Sequence, residues 1–262
     1  MRSRFGSVVC RTALAAALCG FGWTAVAGTN ETVLVVGGHP DDLVGSAGLC
    51  LLMRDRFDVH LADFTRGDRR QKRGAELAPL AKRRTAEELA ACKLAGITPH
   101  FVDEVNGLAF ASQEACERLA KLIGELKPRA IIMHWPVDVH MDHVMSTAAT
   151  LKALEMAKLA RAPELIFFEE TWQSKNFPVH RLVDITSVWP QKVEIIRTYA
   201  CQNVNDAIVQ NKYRDAKFRG SQIFPPEDGR LAEAYSVYQA PVQGTRSIFD
   251  ELPPPGPMTK AY

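Results

Sequence analysis

Val33-Leu34-Val35-Val36-Gly37-Gly38-His39-Pro40-Asp41-Asp42 decides how this chain is read. The unbroken β-branched and leucine run at 32–36 has the composition of a strand covered on both faces, as in parallel sheets packed between helices. It passes straight into a loop bearing a histidine and two adjacent carboxylates. A second cluster, Trp135-Pro136-Val137-Asp138-Val139-His140-Met141-Asp142-His143, follows another apolar run at 130–133. Open parallel sheets bind ligands at the carboxyl ends of their strands, so the two clusters are expected on one edge of one sheet.

Outward from these stretches, strands and helices alternate. Strands are predicted at 32–36, 58–64, 100–102, 130–133 and 165–168. Helices are predicted at 44–54, 76–95, from an N-cap at Ser112 to 126, and from 143 to about 161. Residues 65–74 and 103–110 read as loops, the former strongly charged. Later, 181–185 reads as a strand and 190–199 and 206–218 as helices. The alternation predicts right-handed crossovers and a single α/β domain at 28–251, with a mostly parallel sheet between helical layers. The proline-rich end, 252–262, reads as a tail.

Composition narrows the function. Lys and Arg total 32 against 30 Asp and Glu, without the basic excess of a nucleic-acid binder. Residues 1–27 read as a secretory signal peptide: Arg2, Arg4 and Arg11 precede an apolar run that closes on Ala25-Val26-Ala27. Its removal takes away three arginines and no acid, so the formal charge falls from +2 to −1. Export to the periplasm or beyond follows, with no stable membrane span left; a retained anchor is the alternative. Of the four remaining cysteines, Cys50, Cys92 and Cys116 lie in helical, alanine- and leucine-rich settings. With Cys201, they are expected as free thiols rather than disulfides.

A dinucleotide site is not expected, because Gly37-Gly38 is followed by Pro40 and two acids that would repel phosphate. Imidazole and carboxylate suit a borderline divalent metal, and three protein ligands leave a position for water. His39, Asp42 and His143 supply such a set, for zinc or another divalent metal such as iron(II). Asp41 is then free to act as a general base. His140 is placed to face a developing oxyanion as an imidazolium, oriented by Asp138 or Asp142.

On Gly38-His39-Pro40-Asp41-Asp42, Thr65-Arg66-Gly67-Asp68, Arg84-x-x-Glu87 and His140-x-Asp142-His143, the chain resembles the PIG-L/LmbE-like N-acetylglucosaminide de-N-acetylases. Weaker echoes are Asp184-Ile185-Thr186, Lys192, Gln202 and Ala232-Glu233-Ala234-Tyr235. The resemblance implies a Rossmann-like three-layer fold, a zinc ion, and hydrolysis of the acetamido group of an amino sugar. It assigns metal binding to His39, Asp42 and His143, the base role to Asp41, intermediate stabilisation to His140 and a substrate contact to Arg84. Leu43 stands where the family often has an acid, and Asn106-Gly107 where it has Asp-Gly, which bears on a substrate contact at Asn106.

Two further features have two readings each. The basic stretch 65–73 is a solvated loop or a selector of anionic glycans, and Trp135 is a sugar-stacking ring or a core aromatic. Trp172 and Trp189 carry no stronger signal. The expected activity is exported, metal-dependent deacetylation of an N-acetylated sugar or glycan. The alternatives are hydrolysis of another amide conjugate, a glycan-binding protein without turnover, and a nucleotide-dependent enzyme on the same fold.

Overall fold

The computed structural model describes residues 31–69, 78–202 and 204–255. The segment read as a signal peptide, residues 70–73 of the basic stretch and residues 256–262 of the tail lie outside them. In chain order, β1 spans Thr32–Gly37, α1 Ala47–Met53, β2 Asp58–Arg69, α2 Pro79–Ala95, β3 Thr98–Asn106, α3 Gln113–Leu126 and β4 Ala130–His134. Then come α4 Met141–Ala157, β5 Glu164–Phe168, β6 Arg181–Asp184, α5 Trp189–Thr198, α6 Asp206–Gly220 and β7 Ala232–Gln239.

The seven strands form one sheet in the order β3-β2-β1-β4-β5-β7-β6. β1 to β5 are parallel neighbours, and β7 runs antiparallel to both β5 and β6. The chain builds outward from β1 through β2 to β3, then returns to place β4 on the other side of β1. Connections leave β1 and β4 in opposite directions, which opens a crevice between their carboxyl ends. Both motifs follow those two strands. Val33 and Val35 join one apolar core and Leu34 and Val36 the other, so β1 is covered on both faces. Burying each such side chain contributes about 1.5–3 kcal/mol of transfer free energy.

The first helix is shorter than the sequence suggests. Asp42–Gly45 forms a 3-10 turn, and only Ala47–Met53 is α-helical. The amino end of α1 is capped from far away: Glu233 on β7 accepts from the N–H groups of Gly48 and Leu49, each at 2.8 Å. Lys192 (2.6 Å) and the Tyr235 hydroxyl (2.6 Å) hold the same carboxylate. Gly48 permits this approach, because a Cβ there would lie 2.5 Å from Ile185 Cγ2.

Other boundaries also move. β2 continues to Arg69 through residues read as loop, pairing with β3 across register shifts, and β3 itself runs to Asn106. Arg66 pairs with Asp103 (2.5 Å) and covers the Phe101 ring, so this part of the basic stretch is structural. Ser112 does cap α3, accepting from the Ala115 N–H at 3.2 Å. On α2 the leucines do not make the buried stripe: Leu80, Leu89 and Leu94 are 37, 47 and 50 % exposed, while Arg84 and Glu88 are buried. β7 was not anticipated as a strand. The four cysteines described are free, and burial pushes the Cys50 thiol up to about 12.

The segment after β7 is tied back by charge. Arg129 Nη2 pairs with Glu251 at 2.5 Å, and Arg56 reaches the same carboxylate at 3.1 Å. Burial raises the Glu251 pKa, but the Arg129 hydrogen bond and the surrounding arginine charges bring it below the ordinary 4.5. The stabilisation is therefore full above pH 4.5 and is lost as pH falls through the lower folded value. Glu251→Gln is expected to cost on the order of 1 kcal/mol at pH 7. In thermal melts, its difference from the parent should close in acid; a constant difference would contradict the pairing.

Candidate metal centre and its base

The crevice between β1 and β4 opens into a cavity of about 860 Å³ whose lining includes His39, Asp41, Asp42, Arg84, Asn106, His140, Asp142 and His143. All eight residues singled out from the sequence as catalytic, metal-binding or substrate-binding therefore meet in one place. Among the described residues, two overlapping groups of donor atoms have the spacing of a metal site: His39, His140 and His143, and Asp42, His134 and His143.

The trio expected from the sequence draws on both groups. His39 Nδ1 lies 3.3 Å from His143 Nε2, and each lies 3.5 Å from Asp42 Oδ2. A tetrahedral zinc with bonds of about 2.0–2.1 Å separates its ligand atoms by about 3.3–3.4 Å. The hydrogen-bond pattern also aims lone pairs inward. Asp142 Oδ2 lies 3.0 Å from His39 Nε2, which places that ring's proton outside and leaves Nδ1 free. Asp138 Oδ1 faces His143 Nδ1 at 3.4 Å, an ion-pair distance rather than a hydrogen bond, and its charge likewise favours the proton on that outer nitrogen. A carboxylate behind each histidine is the usual support of a metal ligand. Burial opposes charge on both rings, but Asp142 and Asp42 raise the His39 pKa to about 9, and Asp42 and Asp138 raise that of His143 to about 10. A field that favours two imidazolium ions equally favours a bound cation, so these residues fit a divalent metal.

His134, the last residue of β4, was not singled out from the sequence. It is fully buried, lies 2.9 Å from Asp42 Oδ2 and stacks on His143 at 3.8 Å. Burial lowers its pKa, so it is a neutral ring whose Nε2–H donates to Asp42. Two backbone donors, Gly38 N (2.7 Å) and His39 N (2.8 Å), complete the hold on that oxygen. Gly38 is required by space: a Cβ there would stand 2.8 Å from His143 Cδ2. His134→Phe keeps the stacked ring and removes the donor. It is expected to weaken metal affinity about 10- to 100-fold, measured by competition with a chelator; unchanged affinity would deny His134 that role.

Asp41 stands beside the trio with a third of its side chain open to the cavity. Burial and the Asp42 charge raise its pKa to about 6, against the lowering effect of Arg84. Arg84 Nη2 donates to Asp41 Oδ1 at 2.7 Å and to the Pro40 carbonyl at 2.6 Å, and Gln202 donates to Asp41 Oδ2 at 3.1 Å. Arg84, expected to contact substrate, is thus occupied in holding Asp41. Glu87, the other end of the Arg-x-x-Glu pattern, accepts from the backbone N–H of Cys201 at 3.0 Å and so fixes the segment that carries Gln202.

His140 caps α4 with its side chain: Nδ1 accepts from the Asp142 N–H at 3.3 Å. Its remaining proton therefore sits on Nε2. Burial and the charges of His39 and His143 lower its pKa, so the ring is a neutral donor and not the imidazolium anticipated. Neither carboxylate expected to orient its ring does so; Asp142 holds it through the backbone N–H instead. Asp142 serves His39 and accepts from Gly107 N (2.6 Å), and Asp138 holds the His140 backbone N–H (2.7 Å). Asn106 is buried in the cavity wall. Trp135 is half-buried against the core, its indole donating to the Lys175 carbonyl at 2.9 Å and its ring edge-on to Phe167. Trp189 is buried, and Trp172 is exposed beside a smaller cavity of about 320 Å³ that shares Asp41 and Asp42 with the main one.

A mostly parallel α/β sheet with a histidine–carboxylate cluster at its switch point defines the class as an α/β protein whose cluster could hold a metal ion. Residues 34–154 match the PIG-L family, described as GlcNAc-PI de-N-acetylase, and the chain carries the PIG-L domain over those residues. No curated protein sequence matches the chain. Among solved structures, GalB, the 4-carboxy-2-hydroxymuconate hydratase from Pseudomonas putida KT2440, is similar over 83 % of this chain and all of its own. The TM-score is 0.70 at 21 % identity. The N,N'-diacetylchitobiose deacetylase from Pyrococcus horikoshii is similar over 80 % of this chain and 84 % of its own, with a TM-score of 0.66 at 18 % identity. Dbv21, the A40926 pseudoaglycone deacetylase, is similar over 80 % of this chain and 99 % of its own, with a TM-score of 0.59 at 18 % identity. A hydratase and deacetylases share this fold, so the fold alone does not choose the reaction.

Proposed function

We propose that this protein is an exported, metal-dependent deacetylase that hydrolyses the N-acetyl group of an N-acetylated amino sugar of the GlcNAc type. The observation that carries the reading is the donor trio His39, Asp42 and His143 with a carboxylate, Asp41, left beside it. A protein that only bound glycans would have no use for that base. The PIG-L match supports the acetamido substrate, and solved structures of the same fold include deacetylases named for N,N'-diacetylchitobiose and for the A40926 pseudoaglycone. Export rests on the character of residues 1–27; among the described residues, no helix is long and apolar enough to cross a membrane.

His39, Asp42 and His143 would hold the metal, with zinc favoured by its preference for this ligand set. When bound, it supplies a Lewis acid that polarises the amide carbonyl and lowers the pKa of water. Asp41, held by Arg84 and Gln202, takes the proton of the attacking water. The His140 Nε2–H donates to the carbonyl oxygen as negative charge gathers there. Asp41, now protonated, gives that proton to the nitrogen as the C–N bond breaks, leaving acetate and a free amine.

The test is acetate release from free N-acetylglucosamine, chitin oligomers, peptidoglycan fragments and glycoconjugates, with and without chelator. Chelator-sensitive acetate release from at least one of them is expected. A protein that binds metal yet releases acetate from none would sink the proposal.

A further inference from the structure

We infer that Glu88 is a positioning residue for the reaction, holding the backbone of Asp41 in the conformation that presents its carboxylate to the cavity. The inference rests on the function proposed above, because it takes Asp41 as the base. Asp41 has φ 123° and ψ −15°. A residue with a side chain adopts such a conformation only where its surroundings over-determine it.

The surroundings here can be named. The Asp41 N–H donates to Glu88 Oε2 at 2.8 Å, and the Pro40 carbonyl just before it accepts from Arg84 Nη2 at 2.6 Å. The next turn is closed by Asp42 N to the His39 carbonyl (3.1 Å) and Val44 N to the Asp41 carbonyl (3.1 Å). Arg84 also touches the carboxylate oxygens, so its removal would change chemistry and position together. Glu88 hydrogen-bonds Asp41 only at the backbone N–H, and the repulsion between the two carboxylates is controlled by Glu88→Gln, which makes it the cleaner probe of position.

Glu88 is itself fixed. It is fully buried on the face of α2 that Arg84 occupies one turn earlier. Its Oε1 accepts from the Tyr199 hydroxyl at 3.1 Å and the Cys92 thiol at 3.5 Å. Without that carboxylate, the Asp41 N–H faces the interior with no acceptor, and the strained φ loses the one bond made by its own N–H. Relaxation to negative φ turns the carboxylate away from the donor trio. Arg-x-x-Glu picks out Arg84 and Glu87, so the residue that meets the Asp41 backbone lies one position beyond that pattern.

The experiment uses the full chain loaded with metal and compares Glu88→Met, Glu88→Gln and Tyr199→Phe with the parent. Methionine matches the length of glutamate and lacks a strong acceptor; glutamine keeps one. Glu88→Met is expected to lower kcat on the order of 100-fold, the effect of a reacting group displaced by about an ångström. KM and bound metal should stay near the parent's. Glu88→Gln should restore most of kcat, and Tyr199→Phe should fall between. A Glu88→Met enzyme with parental kcat overturns the inference, as does one that loses metal and turnover together. If Glu88→Met does not fold, parental kcat in Tyr199→Phe overturns it instead. Turnover retained by Asp41→Asn would fail the underlying reading; an inactive Asp41→Asn beside a fully active Glu88→Met would fail this inference alone.

Discussion

Asp41→Asn is expected to lower kcat for acetate release on the order of 100- to 10,000-fold, the usual contribution of a positioned general base. The substitution keeps the side chain's shape. Its oxygen can still accept from Arg84, and the Gln202 amide can turn to accept from the new NH₂ group. Asp42, His39 and His143 are untouched, so metal content by elemental analysis and the melting temperature should match the parent. Turnover near the parental value would remove Asp41 from the mechanism.

His143→Ala is expected to abolish both metal retention and acetate release. The imidazole provides one of three converging donors, and its absence leaves only His39 and Asp42 from the trio. The same ring lies over His134 and packs directly against the Gly38 backbone, where even a Cβ would clash with it, so truncation also opens the floor of the cavity. His143→Gln, which refills most of that space without an imidazole, separates ligation from packing. Full metal stoichiometry in both variants would rule out His143 as a ligand.

Much of this is legible in the sequence. The continuous apolar run of β1 gave its place between two helical layers, and a histidine with acids after each of two strands gave the site. What escaped did so for physical reasons. His134 ends an apolar strand, and a single histidine there looks like a boundary; only its 2.9 Å approach to Asp42 gives it a role. Residues 65–69 look like a loop because they are charged, yet backbone pairing with β3 does not depend on side-chain polarity. On α2, amphipathicity misleads, since its buried face points at the site and is polar, with the leucines left outside. β7 hides because Glu233, buried to cap α1, breaks the alternation that marks a half-covered strand.

The long-range cap on α1 also bears on where the folding unit ends. Residues 34–154 include every donor atom of the trio and the base. They do not include Glu233, which secures the helix following the Asp41-Asp42 turn, nor Gln202, which holds the Asp41 carboxylate, nor Tyr199, which holds Glu88 behind it. Nor do they include β5, which covers the open edge of β4. A fragment cut to the matched segment would keep the ligands and lose the framework that sets their angles. Recognition by sequence and competence to react therefore have different borders in this protein, and the second is the wider.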